Sequence, residues 1–209
     1  MTEPHPAPLP WLVPDGPCRS TDLRYQFLDG TCPEAFRALQ AVHDSAPTYS
    51  QVVYGRFPDG TEAGETFTST PPGFPLDQKF VLGIYLENEL MGVAELLKGY
   101  PEGDIAYIGL LLFKESHQKQ GLGSLALDHI TELACQWGCT AIRIAVIASN
   151  GEALGFWLRH GFSELFRKDI PGVTAEAIVM QRPIPGPGLE PQGRLDGTVP
   201  PTGASTKAP

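Results

Sequence analysis

The stretch that decides the fold is His117-Gln-Lys-Gln-Gly-Leu-Gly-Ser124, which joins a predicted strand to a predicted helix. The apolar run from Tyr107 to Phe113 precedes it, and a long amphipathic pattern starts at its glycines. Glycine has no Cβ, so an anion can come close to the backbone at Gly121 and Gly123. The first N–H groups of the helix lack intrahelical partners and lie at the positive end of its dipole. The stretch therefore predicts a site for a phosphorylated cofactor.

The spacing of the glycines separates this site from the common nucleotide-binding motifs. The P-loop pattern ending in Gly-Lys-Ser/Thr is absent, which argues against ATP and GTP. Residues 121–126 fit the loose dinucleotide pattern GxGxxG/A, but that motif needs its first glycine directly after the strand and an acid about 20 residues on. Here Lys114 to Gln120 intervene, and the next strand ends in Ile147-Ala-Ser-Asn150 without an acid. A dinucleotide-binding oxidoreductase is therefore a disfavoured alternative.

The residues Gln118, Gly121 and Gly123 resemble the acetyl-CoA loop of the GCN5-related N-acetyltransferase (GNAT) superfamily, whose signature is Gln/Arg-x-x-Gly-x-Gly/Ala. The stretch from Asn150 to Phe162 is similar to a second motif of that family, Asn-x-x-Ala…Phe-Tyr-x-x-x-Gly-Phe. The resemblance implies acetyl-CoA as acyl donor, no metal, and acetyl transfer to the primary amine of a small molecule by direct attack in a ternary complex.

The resemblance also assigns cofactor-binding residues. It implies a splayed strand pair whose freed backbone groups bind the pantetheine arm, here Leu111, Leu112 and Phe113. It places the pyrophosphate on a loop that comprises Gln118, Lys119, Gln120, Gly121, Leu122, Gly123 and Ser124. It adds three residues of the second motif, Asn150, Phe156 and Trp157.

Several of these assignments have an ordinary structural alternative. Lys119 is equally consistent with a solvated surface cation. Asn150 can serve as a helix N-cap while it also binds the pantetheine amide. Phe156 fits a core position, because aromatic residues of short amphipathic helices usually pack inward.

The chain departs from the family pattern at Trp157. Many relatives carry a Tyr there, whose hydroxyl protonates the departing CoA thiolate. An indole N–H cannot act as a general acid. Trp157 therefore packs against or polarises the sulfur, or another group supplies the proton. Because free thiols ionise at a pH of about 8.5, water can also supply it. A module that binds acyl-CoA without turnover is accordingly a second alternative.

A general base is required because an alkylamine is mostly protonated at neutral pH. Glu95, the one acid of the strand predicted over 90–97, is a candidate, and it is equally consistent with a solvated surface carboxylate. Tyr107 can act through a water molecule or orient the substrate, or be a core aromatic residue. His43 and His117 are weaker candidates, since a lone histidine is usually structural or solvated.

The apolar pattern predicts an α/β fold in which a β-meander leads into a β-α-β crossover. The resemblance implies a GNAT-type mixed, mostly antiparallel sheet with helices on both faces and a splayed central strand pair. The region 55–78 reads as a long loop with at most a short helix. Strands are predicted over 23–28, 80–86, 90–97, 105–113, 141–147 and 175–181, and helices from Pro33 onward, over 122–137 and over 151–160.

Length and composition predict one folded domain, 21–182, between two disordered segments, and the resemblance implies that this domain is an acetyltransferase. Residues 1–20 hold six Pro, and residues 183–209 hold seven Pro and five Gly without a periodic apolar pattern. The four cysteines are too few and too irregular for a disulfide framework or a zinc site.

Charge and hydropathy restrict the kinds of binding partner that we expect. A formal charge of −9 argues against nucleic acid. No long apolar run and no signal-peptide pattern is seen in the sequence, so we expect no membrane association and a cytoplasmic protein. The resemblance allows a homodimer, because many relatives pair.

Overall fold

The computed structural model describes residues 23–185, whose strands form one seven-stranded sheet in the order β1-β2-β3-β4-β5-β7-β6. Five of the six strand pairs are antiparallel, and β4 and β5 are parallel. The strands are β1 (Leu23–Phe27), β2 (Lys79–Leu86), β3 (Glu89–Lys98), β4 (Ile105–Phe113), β5 (Ala141–Ile147), β6 (Ser163–Lys168) and β7 (Ala177–Pro183).

Helices cover both faces of the sheet. They are α1 (Pro33–Asp44), α2 (Pro47–Tyr54), α3 (Glu62–Thr68), α4 (Leu122–Gln136) and α5 (Gly151–Arg159). Apolar residues of α4 and α5 pack with one sheet face, and those of α1 and α3 pack with the other. This arrangement confirms the mixed, mostly antiparallel α/β fold expected from the sequence.

The central strands β4 and β5 diverge. They pair only between 105–108 and 141–144, although both strands continue further. At this point the register between β3 and β4 jumps, because Glu95 faces Leu110 while Leu96 faces Ile108. Gly109 is therefore an extra residue, and a bulge of this kind bends the strand that carries it. A Cβ at Gly109 would lie 2.7 Å from Glu95 Oε1, so a larger residue there would displace the Glu95 carboxylate.

Two elements differ from the sequence prediction. The helix α2 was not predicted, and it starts only two residues after the end of α1. The edge strand β6 was not predicted either, because all its residues are exposed and give no apolar alternation. The strand β7 ends at Pro183 and Ile184 is buried, so the packed chain continues two residues past 182. The predictions for 1–20 and 186–209 lie outside the described residues.

Within residues 23–185, no helix is long and apolar enough to cross a membrane. No group of three or more acidic, His or Cys side chains in that range could hold a metal ion. Cys32, Cys135 and Cys139 are free thiols.

A buried carboxylate holds the segment between α2 and α3. Glu62, which begins α3, is only 4% exposed. It accepts hydrogen bonds from the Gln40 and Arg56 side chains and from the backbone N–H groups of Asp59 and Gly60, at 2.9–3.0 Å. Burial raises the pKa of Glu62, but these donors outweigh it and lower the pKa to about 2. The ionised carboxylate thus stabilises a loop that has little apolar material.

We predict that Glu62→Gln lowers the free energy of unfolding by about 3 kcal/mol at pH 7, because the folded-state pKa lies well below the ordinary value. A depressed pKa contributes stability above the unfolded-state value of 4.5, and this contribution is lost as the pH falls toward 2. The difference between wild type and variant should therefore shrink between pH 5 and pH 2. Urea unfolding across this pH range measures it.

The matched control is Glu65→Gln, which changes an exposed carboxylate on the same helix. This substitution should alter stability by less than about 0.5 kcal/mol. Equal losses for the two variants, or a gap that does not change with pH, would contradict the role given to Glu62.

Candidate active site

A cleft of about 700 Å³ opens where β4 and β5 diverge. The last residues of β4, Leu111, Leu112 and Phe113, form its floor. The loop before α4 and the first turn of α4 form one wall, and α5 forms the opposite wall. Residues of α2 close one end of the cleft.

The loop before α4 presents backbone donors to the cleft. The N–H groups of residues 119–123 donate to no acceptor in the described part of the chain. Gly121 is the N-cap of α4 with a φ of +83°, a conformation that glycine adopts without strain. A Cβ there would meet nothing within 4 Å, whereas a Cβ at Gly123 would lie 3.3 Å from the Phe156 ring. This end of the cleft is suited to an anion.

The side chain of Gln118 has a structural role. Its Nε2 donates to the Phe113 carbonyl at 2.8 Å, which fixes the loop to the end of β4. The Lys114 N–H bonds to Met91 O on β3 at 2.9 Å. Since the direction of backbone groups alternates along a strand, those of Leu111 and Phe113 face the gap beside β5. The Gln118 side chain already bonds to the Phe113 carbonyl, whereas the backbone N–H and carbonyl of Leu111 stay available to a ligand.

Other predicted loop residues contribute only through their backbone or lie at the rim. Lys119 forms a 2.7 Å ion pair with Glu152, and both side chains are about three-quarters exposed. The Gln120 side chain donates to the Ser116 carbonyl. The Leu122 side chain is buried in the core. Neither Gln120 nor Leu122 lines the cleft.

The residues predicted from the second motif line the cleft and also pack. Asn150 caps α5 through a 3.1 Å bond from the Ala153 N–H to its Oδ1. The Phe156 ring is half-buried and makes an edge contact with Trp157, with 4.9 Å between centroids. Trp157 is 7% exposed and also contacts Phe162. Both aromatic residues therefore belong to the core and to the cleft wall.

Glu95 lies outside the cleft, on the sheet face that carries α1 and α3. Its neighbours Ala94 and Leu96 point into the opposite core, and side chains alternate along a strand. Its Oε2 lies 3.3 Å from Nζ of Lys79, which is 1% exposed and also donates to the Ser69 carbonyl. Burial raises the pKa of Glu95, and Lys79 opposes this rise.

Tyr107 lies on the same face, at the paired base of β4 opposite Arg143. Its ring makes an edge contact with Tyr100 at 5.3 Å. Burial, with smaller effects from Tyr100 and Glu95, raises the pKa of Tyr107 to about 12. Its hydroxyl therefore stays protonated at neutral pH. The structure brings Tyr107 and Glu95 to one face but separates both from the cleft.

Sequence reasoning missed the α2 wall, because α2 itself was not predicted. Tyr49 and Thr48 line the cleft from this helix. Burial raises the pKa of Tyr49 well above its usual value, and the nearby charges of Tyr54 and Glu95 raise it further. The Glu95 carboxylate thus acts electrostatically on Tyr49, a residue that lines the cleft.

Two residues of α5 and its C-terminal end were also missed, Arg159 and His160, both of which line the cleft. They stand inside the quoted second motif, but their types give no signal there. Only the three-dimensional structure identifies His160, because its Nε2 lies 2.9 Å from Oγ of Ser124, 36 residues earlier in the chain.

Solved structures share this fold. An acetyltransferase from Thermus thermophilus superposes with a TM-score of 0.64 at 23% identity, covering 80% of this chain and 100% of that one. The ribosomal-protein-S18-alanine N-acetyltransferase of Escherichia coli gives a TM-score of 0.57 at 16% identity, with 81% and 99% covered. The PaiA N-acetyltransferase of Thermoplasma acidophilum, solved with coenzyme A, gives 0.56 at 14%, with 78% and 99% covered.

A sequence comparison with curated proteins finds no match. The sequence pattern of the Acetyltransferase (GNAT) family, in contrast, matches residues 42–162, more than half of the chain. That range contains the splayed strands, the loop before α4 and all of α5. The chain therefore belongs to the GNAT family of acetyltransferases.

Proposed function

We propose that this protein transfers the acetyl group of acetyl-CoA to the primary amine of a small molecule. The observation that carries the proposal is the gap between β4 and β5, which leads directly to the free N–H groups at the start of α4. An acyl-CoA matches this arrangement, because it carries an arm with amide groups at one end of a diphosphate. Membership of the GNAT family supports acetyl transfer from acetyl-CoA in general.

In this proposal the cofactor lies along the cleft. The pyrophosphate accepts hydrogen bonds from the backbone N–H groups of residues 119–123, each worth about 1.5–3 kcal/mol because the acceptor is charged. The pantetheine arm pairs with the Leu111 groups that face the gap. The thioester then lies near Trp157, where the strands diverge.

The reaction is a direct acyl transfer. The amine nitrogen attacks the thioester carbonyl carbon, a C–N bond forms, and the C–S bond then breaks. Backbone N–H groups at the gap stabilise the oxyanion of the tetrahedral intermediate. The amine gives one proton to a base, and the sulfur leaves as a thiolate that takes a proton from a donor or from water.

Glu95 is the base that we propose, with Lys79 as its positioning residue. Burial raises the pKa of Glu95 and makes the carboxylate a stronger base than an exposed one, while the Lys79 ion pair favours its ionised form. A water molecule can connect it to the amine past Tyr49. Tyr107 has a pKa that is too high for a base, so we assign it to orienting the acceptor or the water.

The acceptor approaches from the α1 and α3 face in this proposal, opposite the cofactor walls. The formal charge of −9 favours a cationic amine there. A homodimer and a cytoplasmic location stay predictions. A dinucleotide-binding oxidoreductase gains no support, because its sheet would be mostly parallel. A module that binds acyl-CoA without turnover is the other candidate, favoured by the Trp157 indole at the position of the usual hydroxyl.

Gly121→Asp should weaken acetyl-CoA binding at least about 100-fold. The new carboxylate would occupy the position proposed for the pyrophosphate and would itself accept hydrogen bonds from the N–H groups at the start of α4. Asp is a good N-cap and tolerates positive φ, so the fold should persist. Calorimetric titration measures binding, with circular dichroism to check folding.

The matched control is Gly121→Asn, which has nearly the same shape and capping ability without the charge. It should lose much less affinity than the Asp variant. If Gly121→Asp binds acetyl-CoA as well as wild type does, the pyrophosphate does not bind at the start of α4.

Glu95→Gln should reduce kcat/KM by roughly 10²–10⁴ if this residue is the base. Lys79→Met should act differently, because it removes the charge that lowers the pKa of Glu95. The base must be ionised, so the acid limb of the kcat/KM profile should move to higher pH while activity at alkaline pH is retained.

Rates across pH on the best amine of a panel measure both effects. A fully active Glu95→Gln variant would remove Glu95 from the mechanism. A Lys79→Met variant with equal losses at all pH values would indicate a purely structural ion pair.

Wild type should release free CoA thiol with at least one amine of a panel of polyamines, aminoglycosides and amino-acid derivatives. Trp157→Phe should keep most of this turnover, since the packing survives and no proton donor is lost. Trp157→Tyr should be at least as active, because it supplies a hydroxyl. The steady-state rate of thiol release measures the turnover of wild type and of both variants.

Binding of acetyl-CoA without turnover of any amine would favour the non-catalytic module. An inactive Trp157→Phe variant that still binds acetyl-CoA would show that the indole itself takes part in the reaction.

A further inference from the structure

The ring of His160 joins the two walls of the cleft. Its Nδ1 lies 2.8 Å from the carbonyl of Phe156 on α5, and its Nε2 lies 2.9 Å from the hydroxyl of Ser124 on α4. Ser124 is the third residue of α4, next to the N–H groups without partners in the described chain. Both side chains line the cleft.

The hydrogen-bond chemistry fixes where the protons lie. A carbonyl oxygen only accepts, so Nδ1 carries a hydrogen whether the ring is neutral or charged. In the neutral ring Nε2 is then an acceptor, and the Ser124 hydroxyl donates to it. The hydroxyl hydrogen is then held by His160, and only the lone pairs of the oxygen are left for a ligand.

Protonation of the ring reverses this bond. The charged imidazole donates from both nitrogens, so Nε2–H donates to Ser124 Oγ. The hydroxyl hydrogen is then released to donate to a phosphate oxygen, and the cation next to it attracts the same phosphate. One proton on His160 therefore converts Ser124 from an acceptor into a donor toward the cleft.

Charged groups lie near His160 on three elements. On β7, the Arg182 guanidinium donates to the His160 carbonyl at 3.3 Å. On α5, the adjacent Arg159 lies against Gly155 and lines the cleft. On α4, Asp128 lies one turn after Ser124 and acts on Arg182. A bound diphosphate would add negative charge beside these groups, and a nearby anion favours the charged form of an imidazole.

We propose that Ser124 and His160 form a proton-coupled clamp for the diphosphate of the cofactor, in which binding takes up one proton on His160. The clamp rests on the proposed function, since it requires the cofactor phosphates at the start of α4. It makes cofactor affinity depend on pH through a residue that does not touch the acyl group.

The probe is CoA without its 3′-phosphate, because a phosphate monoester has its own pKa of about 6 and would obscure the effect. Calorimetric titrations at pH 6 and pH 8.5 give the affinities. Titrations at intermediate pH, in buffers of different ionisation enthalpy, give the fraction of a proton taken up, which is largest there. An imidazole ordinarily changes its charge between these pH values. Wild type should bind about tenfold more tightly at the lower pH, equivalent to one pKa unit of coupling.

Three variants separate the clamp from a structural link between α4 and α5. Ser124→Ala should lose affinity at pH 6 and little at pH 8.5. His160→Asn, which keeps an N–H for the Phe156 carbonyl, should lose the pH dependence and the proton uptake. His117→Asn removes another imidazole of the cleft and should retain both.

The outcomes distinguish the two proposals. Binding of the probe with the same affinity at both pH values, or an unchanged pH dependence in His160→Asn, overturns the clamp and leaves the cofactor proposal intact. An equal loss in Ser124→Ala at both pH values likewise overturns it. Failure of wild type to bind the probe and acetyl-CoA at either pH would remove both proposals.

Discussion

The site depends on one constraint, namely that β4 and β5 stop pairing after Ile108. These two strands form the parallel pair of the sheet, and a helix follows each at its carboxyl end. The N-termini of α4 and α5 therefore meet at the same gap, which is where open α/β sheets bind their ligands. The bulge at Gly109 bends β4 at the point where pairing ends. The cleft thus follows from strand direction combined with one extra residue.

The same gap separates two chemical environments. On the side of α4 and α5, backbone donors and the Arg159 cation favour phosphate, although the chain as a whole is acidic. On the side of α1 and α3, the Lys79–Glu95 pair is largely buried, and it is there that the proposed function places the proton transfer. Side-chain alternation on β3 assigns Glu95 to the second side. A reaction that needs an anionic cofactor and a deprotonated amine can keep these requirements apart.

The sequence predicted those parts of the site that local patterns encode. The loop 117–124, β4 and β5 could be placed because apolar runs and glycines mark them, and the structure gives 105–113 and 141–147 for the two strands. The helix α2 could not be placed, since it restarts at Pro47 directly after α1, and Tyr49 was missed with it. The bond between Ser124 and His160 depends on tertiary packing, which no single stretch of sequence records.

The hydrogen bond from Gln118 to the Phe113 carbonyl joins the phosphate end of the cleft to the strand that forms its floor. This bond restrains the two ends relative to each other, so part of the entropy cost of aligning them is met in folding. Under the proposed function, the cleft would then select ligands by the length of the arm between phosphate and thioester. A shortened thioester that carries the same acetyl group would reach only one end.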